Sequence, residues 1–323
     1  MYRKLLSIFI LLLGTGVLCA EDKQLYQHLQ DVSVTVKASG GEGSGVIVTR
    51  DVSISVDDKD KPIIMKVNFV WTAAHVVDGL RSVRTVIKDG RSIKIVEFKD
   101  AQIVQELVED GRRVGEMKME AKVIKYSDSE NGEDLALLMI RKKGFIDKSA
   151  TFYKDSGKPV AIGSELYHVG SLLGQTGSNS MTRGICSQIG RVLDLGNGSG
   201  VVFDQTTVTA FPGSSGGGVF LSERSGDKAG QYIGMLVRGA GETFNLIVPI
   251  RRMRSYAKKE GILWAIDTGV KIPKLKEIVS SPIEGSKSLD GNKNVKVTKD
   301  TVKFPVLPLI TKEEKVQIIR KEK

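Results

Sequence analysis

The stretch Pro212-Gly213-Ser214-Ser215-Gly216-Gly217 holds the residue types that a serine nucleophile needs. A serine hydroxyl attacks poorly until a base removes its proton, and the attacked carbonyl needs N–H donors as it becomes an oxyanion. Glycine two places before the serine lets the backbone turn so that the Gly213 and Ser215 N–H groups face one point. The glycines that follow leave room for a substrate. Ser215 fits this role and Ser214 does not, because only Ser215 has glycine both two places before and one place after it. Alone, such a cluster is an ordinary flexible loop.

Two further stretches supply partners. Of the three histidines, His28, His75 and His168, His28 lies in a polar lead-in and His168 reads as a strand or core residue. His75 ends the apolar run through Trp71-Thr72-Ala73-Ala74, which suits a base that must be held rigidly. Asp134 opens the apolar run Leu135-Ala136-Leu137-Leu138, as a carboxylate that orients an imidazole should. Asp128 and Glu133 are nearby rivals, but neither abuts that run directly.

The elements that must position these groups read as short strands. Val32, Val34 and Val36 alternate, Gly40 to Gly45 mark a tight turn, and Val46 to Val48 start a second strand. Ile63 to Trp71 delivers His75, with Asp57 to Pro62 as a charged hairpin loop before it. Short strands follow at Val83 to Ile87, Ile93 to Phe98 and Ala121 to Tyr126. The charged stretch from Gln102 to Glu120 reads as an extended loop or a short helix. Leu135 to Ile140 is apolar throughout, as in a strand buried on both faces. Beyond it come Glu165 to Val169, Gly184 to Val192, Val201 to Thr207, Val219 to Leu221, Tyr232 to Val237 and Phe244 to Val248. Arg251 to Gly261 has helical composition and would close the domain. Thirty-five glycines against 6% aromatics suit a turn-rich, all-β sandwich or barrel.

Taken together, GSGVIV (Gly43 to Val48), TAAHVV (Thr72 to Val77), DLALL (Asp134 to Leu138) and PGSSGG (Pro212 to Gly217) resemble the HtrA/Deg-like, trypsin-fold serine peptidases, in that family's order. Gly184 to Val192 resembles the strand after its activation loop, Gly174 to Thr182 that loop itself, and Phe244 to Ile250 its final barrel strand. The resemblance covers roughly residues 30 to 260. It implies a double six-stranded β-barrel of the chymotrypsin/trypsin type, with a short C-terminal helix and a poorly ordered tail. It also implies Ser215 as nucleophile, His75 as general base and then acid, Asp134 as the orienting carboxylate, and the Gly213 and Ser215 N–H groups as oxyanion hole. No metal or organic cofactor is called for. Thr209, six places before Ser215, falls at the base of the S1 pocket, with Leu236 or Val237 along a wall. A neutral threonine there disfavours Arg or Lys, so small or medium aliphatic P1 residues are expected. Ser214 stands where the family usually has Asn or Asp. The segment after the barrel is too short for a typical PDZ domain, so PDZ-based capture is not carried over, and the family's trimer formation is left open.

The N-terminus reads as an export signal over 1–20. Arg3 and Lys4 precede an apolar run from Leu5 to Leu18 that is short for a bilayer span, and Ala20 offers a cleavage point. A peptidase domain over 21–264 and a basic, flexible tail over 265–323 complete the organisation. Cleavage after Ala20 removes Cys19 and leaves Cys186 without a disulfide partner, as a small buried strand residue. The expected location is a bacterial periplasm or the extracellular medium, the partners protein or peptide substrates. The net charge of +10 comes without a nucleic-acid motif, and the basic tail allows weak association with an envelope or membrane surface. Two other readings stand beside the peptidase. One is a catalytically silent binding module on the same fold. The other is a basic cell-wall or DNA-binding protein, which rests on charge alone.

Overall fold

The computed structural model describes residues 23–284, apart from 57–60, 89–90, 110, 131, 155–157, 195–199 and 240–242. The export signal, the Asp57–Pro62 loop for the most part, and the tail beyond 284 therefore lie outside the described residues.

Helix α1 (23–31) leads into β1 (Ser33–Ala38), β2 (Gly41–Val56), β3 (Pro62–Thr72), the one-turn helix α2 (Ala74–Val77), β4 (Arg81–Lys88), β5 (Arg91–Phe98), β6 (Ala101–Glu109), β7 (Arg112–Ser127) and β8 (Leu135–Ile140). Six of these strands pair in the order β1-β2-β3-β8-β7-β6, and β1 also pairs with β6, so the sheet closes on itself. Closure removes the free edges of the barrel itself. All six residues of β8 are buried, as the unbroken apolar run predicts. The β4–β5 hairpin stands outside this barrel as a sheet of two strands, and Ile87 on it is 82% exposed.

The expectation of a loop or short helix over Gln102–Glu120 is corrected here. The segment is the β6–β7 hairpin, paired from Ala101 opposite Ala121 out to Glu109 opposite Arg112, with one slip of register between Leu107 and Val108. Its inner part alternates in burial only from Ala101 to Ile103, with Gln102 outside, before Val104 and Gln105 are buried in succession. Its outer part projects past the barrel and carries charges on both strands, among them the Arg113 pairs to Glu106 and Glu116. That charge density hides the period-2 pattern.

The second barrel comprises β9 (Glu165–Gly170), β10 (Ser180–Asp194), β11 (Gly200–Thr206), β12 (Gly218–Leu221), β13 (Tyr232–Gly239) and β14 (Asn245–Pro249). Their order is β10-β11-β14-β13-β12-β9, closed by β9 against β10. Fully buried Phe203, Phe220 and Tyr232 fill it, each contributing on the order of 2–3 kcal/mol of burial. Cys186 is buried on β10, and burial pushes its thiol up to about 11. Residues 149–153 bridge the barrels through the bonds Ala150 N–H to the Ile47 carbonyl and Tyr153 N–H to the Tyr232 carbonyl, each 2.9 Å.

Helix α3 (Ile250–Lys259) covers the second barrel, and the chain then returns to the first. Trp264 meets the Phe69 ring edge-on at 4.8 Å between centroids, and the Trp71 indole N–H donates to the Ala265 carbonyl at 3.2 Å. Residues 265–284, expected as the start of a flexible tail, are held in place. Ile266 and Ile278 are buried, the second on α4 (Leu275–Ser280). The Ile283 carbonyl accepts from Tyr126 N–H at 2.9 Å, and Glu284 pairs with Arg81. Prolines and polar runs flagged this stretch as disordered, while the few apolar anchors that tie it down are too sparse to show a period.

Candidate active site

Strand β3 ends at Thr72, whose hydroxyl donates to the Ser44 carbonyl at 2.7 Å. Ala73 and Ala74 are fully buried, and side chains this small let the chain turn directly into α2 with His75 on it. The imidazole is 9% exposed. Its Nδ1 lies 3.0 Å from each carboxylate oxygen of Asp134, and its own main-chain N–H donates to Asp134 Oδ1 at 3.2 Å. An Nδ1–H donated to a carboxylate leaves Nε2 as the acceptor. That Nε2 is buried and has no hydrogen-bond partner among the described residues.

Asp134 is 1% exposed and adopts a φ of 55°, a left-handed conformation that costs a side chain roughly 1–2 kcal/mol. Burial alone would raise its carboxyl. The His75 contacts, followed by the Arg238 guanidinium, outweigh that and hold it below the ordinary carboxylate range. The rivals are set aside by placement. The Asp128 carbonyl accepts the Asp134 N–H at 3.1 Å, and Glu133 pairs with Arg252.

The glycine-rich segment folds against both barrels. Ser214 N–H donates to the Phe211 carbonyl at 2.9 Å, closing a turn with Pro212 second and Gly213, at φ 91°, third. Proline followed by a left-handed glycine is the type II arrangement. A Cβ at Gly213 would strike the Ser171 carbonyl. The Pro212 carbonyl accepts from Leu173 N–H at 2.8 Å. Because C=O and N–H of a trans peptide point in opposite directions, this bond turns the Gly213 N–H away from Leu173. The Ser214 hydroxyl accepts from Phe211 N–H at 3.1 Å.

Ser215 itself is buried, and its carbonyl accepts from Ser44 N–H at 2.7 Å. Gly216 N–H donates to the Leu236 carbonyl at 2.8 Å. With a φ of 87°, Gly216 sits so close to the Ser44 carbonyl and the Thr72 hydroxyl that a Cβ would overlap both. The serine loop thus rests directly on the end of β3, a few residues before His75.

The other sequence candidates are placed less tightly. Thr209 is half-buried and its carbonyl accepts from the Thr182 hydroxyl at 3.0 Å. Leu236 and Val237 are fully buried on β13. Their strand supports the serine loop through the Leu236 main chain, since Leu236 N–H also donates to the Gly217 carbonyl at 3.0 Å. His168 is a core residue beneath the loop, its Nδ1 3.0 Å from the Gly218 carbonyl, and burial pushes it down to about 4.

A model of the trypsin-like peptidase domain matches residues 43–230, more than half of the chain. The chain belongs to the trypsin-like peptidase family. Similar solved structures are Deg5 (20% identity, TM-score 0.48, covering 76% of this chain and 95% of that one) and the MamO protease domain from Magnetospirillum magneticum (16%, 0.46, 72% and 98%). A third is the inactive mutant form of Rv3671c from M. tuberculosis H37Rv (16%, 0.47, 73% and 90%). No curated protein matches the sequence. At these identities no residue's role carries over.

Within this trypsin-like peptidase domain, sequence reasoning passed over three residues that hold the site together. Ser44 reaches from the first barrel to the second. Its hydroxyl donates to the Gly213 carbonyl and accepts from Ser171 N–H, both at 2.7 Å. It lay in plain view between the glycines of GSGVIV. Leu173, left-handed at φ 63°, holds the Pro212 carbonyl, and no composition signal marks it. Arg238 is 5% exposed and donates to the Ser129 carbonyl at 3.0 Å. A lone arginine closing the apolar run of β13 was a signal that could have been read.

Proposed function

We propose that the chain is a serine endopeptidase with His75, Asp134 and Ser215 as its catalytic triad. One observation carries the reading: His75 Nδ1 is gripped by both oxygens of a buried carboxylate while Nε2, also buried, keeps its lone pair uncommitted among the described residues. An imidazole so held is fixed in the tautomer that can accept a hydroxyl proton. Ser215 Oγ gives its proton to Nε2 and bonds to the scissile carbonyl carbon. The carbonyl oxygen, now an oxyanion, is met by the N–H groups of Gly213 and Ser215. His75 then passes the proton to the leaving amine as the C–N bond breaks. A water, deprotonated by the same nitrogen, hydrolyses the acyl-enzyme. Asp134 stabilises the imidazolium throughout and stays ionised.

The P1 side chain is assigned to the neighbourhood of Thr209, Leu236 and Val237, with small or medium aliphatic residues preferred because these three side chains carry no charge. Protein or peptide substrates in a cell envelope or outside the cell follow from the export signal. A silent binding module is favoured by a single feature, the absence of a made bond at His75 Nε2, although such bonds often form only when substrate arrives.

A fluorophosphonate probe decides between the two. The purified protein is expected to incorporate it at Ser215 and to hydrolyse unfolded casein. Ser215→Ala is expected to abolish both while leaving the thermal midpoint in place. A folded wild-type protein that takes up no probe and cuts no peptide from a diverse library is the silent module instead.

A further inference from the structure

We propose that Ser44 is a positioning residue for the oxyanion hole: its buried hydroxyl, borne by the first barrel, holds in place the Gly213 amide that the second barrel supplies. The inference deepens the peptidase reading of the site and rests on it.

Gly213 has no Cβ to fix its backbone, and glycine reaches positive and negative φ about equally readily. Its φ of 91° is therefore set by the Phe211–Ser214 turn and by the bonds made to the peptide on either side. On the N-terminal side, the Pro212 carbonyl accepts from Leu173 N–H at 2.8 Å. On the C-terminal side, the Gly213 carbonyl accepts from the Ser44 hydroxyl at 2.7 Å. The same hydroxyl oxygen accepts from Ser171 N–H at 2.7 Å. One side chain thus ties the serine loop to the segment 171–174, whose Leu173 makes the other bond. Ser171 is held in turn through its own hydroxyl, 2.5 Å from that of Thr35. Thr35, Ser44 and Ser171 are each at most 1% exposed, so bulk solvent does not compete for these bonds.

The main chain of Ser44 works on the same loop. Its N–H donates to the Ser215 carbonyl at 2.7 Å, and its carbonyl accepts from the Thr72 hydroxyl at 2.7 Å. Ser44 therefore grips the carbonyls of Gly213 and Ser215, the two residues whose N–H groups would meet the oxyanion. It holds one with its side chain and the other with its main chain. Thr35, Ser44 and Thr72 lie on β1, β2 and β3, so three neighbouring strands each give a buried hydroxyl to this seam. Alanine at 44 takes a partner from both the Gly213 carbonyl and Ser171 N–H in a buried place, and groups left so are driven to find another. The route open to a glycine is rotation of its flanking peptides, which carries the Gly213 N–H out of the hole. The main-chain bond to Ser215 does not depend on the hydroxyl, so the nucleophile keeps its place beside His75.

The test is the saturation kinetics of fluorophosphonate labelling at Ser215, in full-length wild type, Ser44→Ala and Ser44→Cys. In that reaction Ser215 Oγ bonds to phosphorus, fluoride leaves, and the hydroxyl proton passes to His75. The phosphoryl oxygen draws on the same N–H groups as an oxyanion. Ser44→Ala is expected to lower the saturating labelling rate about tenfold, the effect of one buried hydrogen bond. That is less than the roughly 10²–10³ lost with an oxyanion donor removed outright. The half-saturating probe concentration is expected to stay at its wild-type value, which a generally loosened site would not allow. Ser44→Cys keeps the shape with a weak donor and is expected to fall between the two. A saturating rate equal to wild type in a folded Ser44→Ala overturns the proposal, as does a loss confined to the half-saturating concentration. Where Ser44→Ala shows no cooperative thermal transition, Ser44→Cys decides, and wild-type kinetics there overturn it equally. A wild type that takes up no probe removes the peptidase reading and this role with it, a result distinct from a labelled wild type indifferent to Ser44.

Discussion

His168 and Asp134 are both buried, and each ties stability to pH in its own range. Burial holds the His168 imidazole neutral, with its midpoint pushed from 6.5 down to about 4. In the unfolded chain it takes up a proton as pH falls through 6.5, while in the folded protein it does not until about 4. Stability is therefore complete above pH 6.5 and is lost between 6.5 and about 4, by roughly 3 kcal/mol from this group. His168→Asn, which can still donate to the Gly218 carbonyl, is expected to flatten the thermal midpoint over that interval. A wild type whose midpoint is already flat there has its imidazole wetter than the structure has it. The Asp134 carboxyl, held low, contributes in the same sense but further into acid. Its stabilisation is present above the ordinary carboxylate midpoint and disappears as pH falls below it.

The β6–β7 hairpin is the element whose role differs most from its sequence reading. Its charged outer half does not simply meet solvent. Glu116 accepts from the Gln175 side chain and Glu106 from the Ser178 hydroxyl, while Glu42 accepts from Gln175 N–H at 2.7 Å. Lys37 and Gln30 reach the same turn. The loop that begins at Leu173 and turns the Gly213 N–H is thereby braced by the first barrel of the same chain. The pair Glu106→Ala and Glu116→Ala is expected to slow fluorophosphonate labelling about fivefold, the loss of two modest hydrogen bonds, with little change in thermal midpoint. A labelling rate equal to wild type would show that the loop holds itself. None of this was legible from composition, because a charged hairpin and a charged loop look alike until one knows what lies across from them. By contrast, β8 was readable, since six consecutive apolar residues are too few for a typical buried helix and suit a strand buried on both faces. The catalytic candidates were readable for a related reason: each is a polar group at the boundary of an apolar or glycine-rich run. Ser44 and Arg238 act through main-chain carbonyls far away in sequence, and no local pattern records such a partner.

At the scale of the whole molecule, the proposed acid–base pair and the proposed nucleophile belong to different barrels. His75 and Asp134 are borne by the first, Gly213 and Ser215 by the second, and Ser44 crosses between them. The chain crosses from the first barrel to the second through residues 149–153, bonded to both sides, and returns to the first from Trp264 onward. A polypeptide divided between Lys154 and Lys158 would leave each fragment with the strands of one barrel and half of the proposed site. Complementation is then the natural readout: neither fragment alone should capture the probe, and labelling after mixing should saturate with the concentration of the partner fragment. Labelling by the Ser215 fragment in isolation would mean that the nucleophile needs no help from across the seam. What one chain holds together could in this way serve as a sensor of proximity, its output silent until two tethered halves meet.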